Sequence, residues 1–195
     1  MSHRITSRIP LVALALAAAL FSRNAAWAQT APSGVKGEVL YWIQDGEDKL
    51  VQLAEAIPES KYGWTPDKGV RTVGEVFMHV ASANFGIPGI WGVKPPAGFS
   101  FETYEKSLTK KADIIKALKD SFAHVEGALK AAPDADLDKP IKLFGSETTV
   151  RGGYLLVMSH VHEHLGQAIA YARSNKVTPP WTAKEQAEEA KSQKK

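Results

Sequence analysis

The chain has no cysteine. Disulfide staples, a cysteine nucleophile and thiolate metal ligands are therefore excluded, and any metal must be held by nitrogen and oxygen. Net charge is also lacking once the first residues are set aside. Residues 1–28 carry Arg4, Arg8 and Arg23 and no acid, and without them basic and acidic residues stand equal at 21 each. The pI near 9.0 thus belongs mostly to the leader. A balanced remainder has no basic footprint of the kind that nucleic acid or an anionic membrane surface requires, so no nucleic-acid partner is expected. Long apolar runs are scarce too. "LVALALAAALF" at 11–21 falls short of the roughly 20 residues that span a bilayer. Arginines precede it and "AWA" at 26–28 follows it, the layout of a secretory signal peptide cut after Ala28. The expectation is a periplasmic or secreted protein with no stable membrane span after cleavage. Residues 29–34 would be a short tether.

What remains is enough for one domain with a real core. Leu40, Ile43, Leu50, Leu53 and Ala54 recur at helical spacing and predict a helix over 35–57, ended by Pro58. Thr72 and Glu75 form a capping box ahead of "VFMHVASANFG", a second helix that Gly86 and Pro88 stop. Ile114, Ile115, Leu118, Phe122, Val125 and Leu129 mark a third over 109–131. "IKLFG" in the next connection has the look of a brief extended stretch. The fourth helix, 151–173, is rich in Leu and Ala, with Asn175 as its expected left-handed cap. The charged end, 183–195, has no apolar stripe and reads as a disordered tail. The fold class is all-α: a four-helix bundle over 35–182. The connections after the second and third helices are long, so crossover connections are expected rather than simple up-and-down loops.

The candidate chemistry lies in "SHVHEHLGQAIAYAR", 159–173, with a histidine at every second position. On a strand all three would share a face; on a helix only i and i+4 do. The apolar positions Leu155, Leu156, Met158, Val161, Leu165, Ala168 and Ile169 recur every three or four residues, so the stretch is helix. His160 and His164 then point together and His162 points away. Two imidazoles rarely hold an ion alone, and the best third ligand is His79, in the middle of the second helix. Three histidines without a fourth ligand leave a coordination position open, the catalytic pattern. The H-E-x-x-H protease motif is absent, since Val161 stands where its Glu would be. His124 is read as an exposed residue of the third helix and Glu163 as solvent-facing. A haem held by His79 and His160 would fit a bundle but leave the H-x-x-x-H pair unexplained.

The core over about 35–182 resembles the DinB/YfiT-like family of metal-binding four-helix bundles. The resemblance rests on "IPESKYGWTPDKGVRTVGEVFMHVASAN", "LKDSFAHVEGAL" and "VMSHVHEHLGQAIAYARSNKVTPPWT", taken in that order. The family's histidine in the second helix and its H-x-x-x-H-x-G-Q in the fourth fall on His79, His160, His164, Gly166 and Gln167. The resemblance implies a bound divalent metal ion, zinc or nickel, in an open site. It implies a metal-dependent enzyme of the thiol-transfer or hydrolysis class acting on a small molecule or thiol. The alternative is a non-catalytic envelope bundle that holds metal or a small ligand. A homodimer is the family-level expectation. Gly166 would allow close helix packing, and Gln167 would bond to a group behind the ligands or to a metal-bound water, or else cap a loop backbone as a buried amide. Tyr62, Trp64, Pro180 and Trp181 would pack the bundle's end. The aromatic loop from Trp91 to Tyr104 would shape the pocket.

Overall fold

The structure, a computed structural model, describes residues 33–193. The expected leader lies outside the described residues, as does the expected tether apart from its last two positions. Four long helices form the body: α1 (Gly34–Ala56), α2 (Val73–Gly86), α4 (Lys111–Ala131) and α5 (Val150–Ser174). A one-turn helix α3 (Phe101–Tyr104) lies between α2 and α4, a hairpin of β1 (Pro140–Leu143) and β2 (Ser146–Thr149) precedes α5, and α6 (Pro180–Ser192) follows it. Among the described residues no helix is long and apolar enough to cross a membrane.

Each long helix packs on two others. α1 lies against α4 and α5, and α2 lies against the same two. The sequence neighbours α1 and α2 therefore occupy diagonal corners, as do α4 and α5. The crossover connections are those after the first and third long helices. The connection from α2 to α4 joins adjacent helices despite its length, and its extra residues serve the site described below. Phe77, Phe122, Ile43, Leu50, Leu118 and Tyr154 are fully buried between the helices, and truncating one such ring to Ala costs about 3–5 kcal/mol. Gly46 sets the approach of α1 to α5, because a Cβ there would collide with Val161 Cγ1.

Helix ends follow the local chemistry. The capping box of α2 is complete: Thr72 N donates to Glu75 Oε2 (2.8 Å) and Glu75 N donates to Thr72 Oγ1 (3.2 Å). Thr149 caps α5 by accepting from Gly152 N. Three details differ from the sequence reading. The left-handed residue after α5 is Lys176 (φ 64°), not Asn175, which stays at φ −91° and bonds back to Tyr171. Gly166 is exposed with open space above its Cα, so it does not admit a neighbouring helix. The charged end expected to be disordered forms most of helix α6, which starts with Pro180 in its first turn and Trp181 packed against the core and is exposed beyond them. The brief extended stretch is β1, closed on β2 by a turn with Phe144 and Gly145 both at positive φ, the geometry that fits a two-residue hairpin.

One carboxylate pair links α1 to α4. Glu126, largely buried, accepts from Gln44 Nε2 (2.9 Å) and Lys130 Nζ (2.6 Å), and Glu47 lies beside it. Burial, a hydrogen bond shared with Glu126 and repulsion from it raise Glu47 to about 7. A raised folded-state value means that this group's stabilisation is complete below its ordinary 4.5 and is lost as pH rises through about 7. Glu47→Gln should therefore match the native chain at pH 5 and exceed it by about 1 kcal/mol at pH 8, a figure discounted for solvent screening. Thermal melts at the two pH values check this; an equal gap at both would rule out a shared proton.

Candidate metal centre

α2 is almost wholly internal. Of its residues only Glu75 and His79 escape full burial, and at i and i+4 they share one side. His79 there faces α5, where His160 and His164 lie one helical turn apart. The ring centroids are 5.0 Å apart for His79 and His160, 4.6 Å for His79 and His164, and 4.4 Å for His160 and His164. One ring nitrogen from each lies within 4.8 Å of the others, and no further His, Asp or Glu joins the group among the described residues.

Residues behind the rings fix two of them. His79 Nδ1 lies 2.8 Å from Glu105 Oε2, and Arg71 Nε donates to Glu105 Oε1 (2.7 Å). A carboxylate only accepts, so His79 carries its proton on Nδ1 and turns a bare Nε2 inward. His164 Nδ1 donates to Gln167 Oε1 (2.8 Å), and Gln167 Nε2 donates to Tyr171 Oη (3.2 Å), whose ring packs edge-on against Trp64. His164 thereby also turns Nε2 inward. His160 differs. Its Nδ1 is buried without a partner, and its Nε2 lies 3.1 Å from His79 Nε2. With the His79 proton committed to Glu105, His160 Nε2–H donates to His79 Nε2.

The electrostatics favour unprotonated rings. Burial pushes His160 down to about 3, with His164, His79 and Arg71 adding to it. Burial lowers His79 as well; the bond to Glu105 opposes this, while Arg71 and His164 reinforce it. Burial pushes the Glu105 carboxyl up, but the bonds from Arg71 and His79 outweigh it and hold the group below the usual range. Both histidines are thus neutral at pH 7, the form a metal ligand must take.

This donor set fits a divalent ion. Two nitrogens at 2.0–2.1 Å on a tetrahedral ion are roughly 3.3 Å apart, close to the 3.1 Å between His79 and His160. An ion would take the two lone pairs that share one proton here. The same distance leaves no room for a porphyrin between them. Imidazole nitrogen suits zinc and nickel alike.

The remaining candidates fall elsewhere. His162 points to α1: its Nδ1 donates to the Met158 carbonyl and its ring packs edge-on against Trp42. Glu163 is exposed. His124 is not an exposed residue; it is half-buried against Phe85, bonded to that residue's backbone, with its Nε2 enclosed. The aromatic loop shapes a cavity of about 620 Å³ with Phe85, Phe99, Tyr104 and His124, away from the triad. Its contribution to the triad is Glu105, directly after Tyr104. Glu105 and Arg71 escaped the sequence reading because they lie in loops without motif or periodicity; only adjacency of Arg71 to the capping box hinted at either. A second cavity, of about 590 Å³, borders the triad through Arg71, Glu105 and Gln167.

The family model of the DinB superfamily matches residues 43–168, which takes in all three histidines and Gln167. The chain belongs to the DinB superfamily. Its fold is shared by a DinB-like protein of Bacillus cereus, with a TM-score of 0.61 at 20% identity over 71% of this chain and 93% of that one. YfiT of Bacillus subtilis, described as a probable metal-dependent hydrolase with an unusual four-helix bundle topology, matches with a TM-score of 0.59 at 14% identity over 73% and 89%. A mycothiol-dependent maleylpyruvate isomerase matches with a TM-score of 0.55 at 14% identity over 67% and 59%. No curated protein matches in sequence. At such identities the DinB likeness shows the fold alone, and the chemistry rests on the residues.

Glu105→Ala should weaken zinc affinity about 10–100-fold, because it frees His79 to rotate and to change tautomer. His162→Ala should leave the affinity unchanged. Competition against a chromogenic chelator reads both; equal losses would contradict the helix-phase assignment.

Proposed function

We propose that this chain is a metal-dependent enzyme acting on a small molecule, with His79, His160 and His164 as the ligands of one divalent ion, zinc or nickel. The observation that carries the reading is the convergence of three imidazoles from α2 and α5 with no fourth protein ligand among the described residues, a set that leaves room for a reactant. When bound, such an ion supplies Lewis acidity toward a water or a thiol, which places the reaction in the hydrolysis or thiol-transfer class. The chain's own residues prepare the site. Glu105 holds the His79 proton outward, Arg71 holds Glu105, and Gln167 orients His164. Packing of α2 keeps water from the inner side, since all its residues but Glu75 and His79 are buried. The description of YfiT as metal-dependent and the thiol dependence of the isomerase support the reading by kinship of fold.

The reading extends to place. The leader at 1–28 directs the chain to the periplasm or outside, where the mature form begins at Gln29. An envelope bundle that holds a metal without turnover is the second reading. What favours it is that, among the described residues, the one carboxylate bonded to the triad, Glu105, is committed to Arg71 and His79 and is not free to act as a general base.

Metal analysis of residues 29–195, purified without a tag or chelating column, tests the ligand set. The native chain should carry about one ion, and His160→Ala and His164→Ala should each carry little, since removing one of three ligands leaves only two. No metal in the native chain after reloading would overturn the assignment.

A further inference from the structure

The cavity beside the triad is lined by Gly69, Val70, Arg71, Glu75, Glu105, Lys106 and Gln167. Its charges balance in number, two cations against two carboxylates, but not in their contacts. Glu105 is satisfied by Arg71 Nε and His79 Nδ1. Glu75 is satisfied by the Thr72 backbone in the capping box, at the positive end of α2. Arg71 meets Glu105 through Nε alone, so both of its Nη groups lack a partner among the described residues, and so does the ammonium of Lys106. The Nη edge of the paired Arg71 and the ammonium of Lys106 thus remain without a protein partner, among the described residues, on the wall of one cavity. The bond to Glu105 also limits how the Arg71 guanidinium can turn, which lowers the entropy cost of using its Nη edge.

We propose that this cavity binds a carboxylate of the small molecule on which the site acts, with the Arg71 Nη pair as a bidentate grip and Lys106 as a second contact. A guanidinium edge matches a carboxylate's two oxygens. The two glutamates in the wall disfavour a doubly charged phosphate, so a single negative charge is the better fit. Arg71 is one hydrogen bond from Glu105 and two from His79, so the carboxylate anchors the molecule beside the triad and leaves the inward ring nitrogens to the reacting part. Arg71 is a binding residue here, and Glu105 is the link between anchor and triad. Naming the ligand a substrate rests on the metal-enzyme reading; the carboxylate site itself does not.

The test is titration of the mature chain, zinc-loaded and zinc-free, with sodium propionate, propionamide and inorganic phosphate, followed by amide and side-chain NMR shifts. Propionate should give saturable shifts at Arg71 Nε–H, the Gln167 side chain and the backbone of residues 69–71 and 105–106. Propionamide at equal concentration should give none there, and phosphate should bind more weakly. Arg71→Gln should weaken propionate at least about tenfold and Lys106→Gln about two- to threefold. Lys106 is exposed, so its variant reports even if Arg71→Gln fails to fold. Equal response to propionamide, tighter binding of phosphate, or an unchanged propionate affinity in Lys106→Gln would overturn the proposal. Zinc content measured on the same samples separates the two readings. Zinc without propionate binding removes this one alone, and propionate binding without zinc removes the metal assignment alone.

Discussion

The site depends on the contact between α2 and α5. It is the one helix pair through which His79 meets His160 and His164, and these three residues come from parts of the chain about eighty residues apart. Bringing imidazoles out of water costs free energy, because burial disfavours their charged forms and leaves ring nitrogens seeking partners. The bundle offsets this cost in two ways. Glu105 and Gln167 satisfy the outer nitrogens of two rings, and His79 and His160 share a proton between their inner ones. His160 Nδ1 keeps no partner.

Topology explains how the outer partners arrive. Because α1 and α2 occupy diagonal corners, the chain reaches α2 by a long connection, and Arg71 lies at the end of it, one residue before the helix cap. The connection from α2 to α4 joins neighbours and could be short; instead it runs out through the aromatic loop and returns with Glu105. The two loops meet in one salt bridge, Arg71 with Glu105, directly behind His79. The helices supply the three histidines and Gln167, and the loops supply the pair that holds His79.

The long helices were legible because each carries an apolar stripe of helical period and a marked end: Pro58, the Thr72–Glu75 box, Gly86, the run of Leu and Ala before Arg173. The triad was legible for the same reason, since helix phase alone separates His162 from its neighbours. What stayed hidden depends on tertiary contact. The burial of His124 comes from Phe85 on another helix. Glu105 carries no local signal, and Arg71 only its place directly before the capping box. Charge composition suggested disorder at the end of the chain, yet residues 180–192 are helical, starting with Pro180 in the first turn and Trp181 packed against the core. The shift of the left-handed residue from Asn175 to Lys176 is a matter of one position, fixed by the bonds of Asn175 back to Tyr171.

The most direct test of the triad is a crystal of zinc-soaked residues 29–195, with anomalous difference maps collected on either side of the zinc edge. One strong peak is expected at about 2.0–2.1 Å from a ring nitrogen of each of His79, His160 and His164, with Glu105 and Gln167 still bonded to the outer nitrogens. A peak coordinated by His162, or by Glu105 in place of His79, or no peak between α2 and α5 at all, would contradict it.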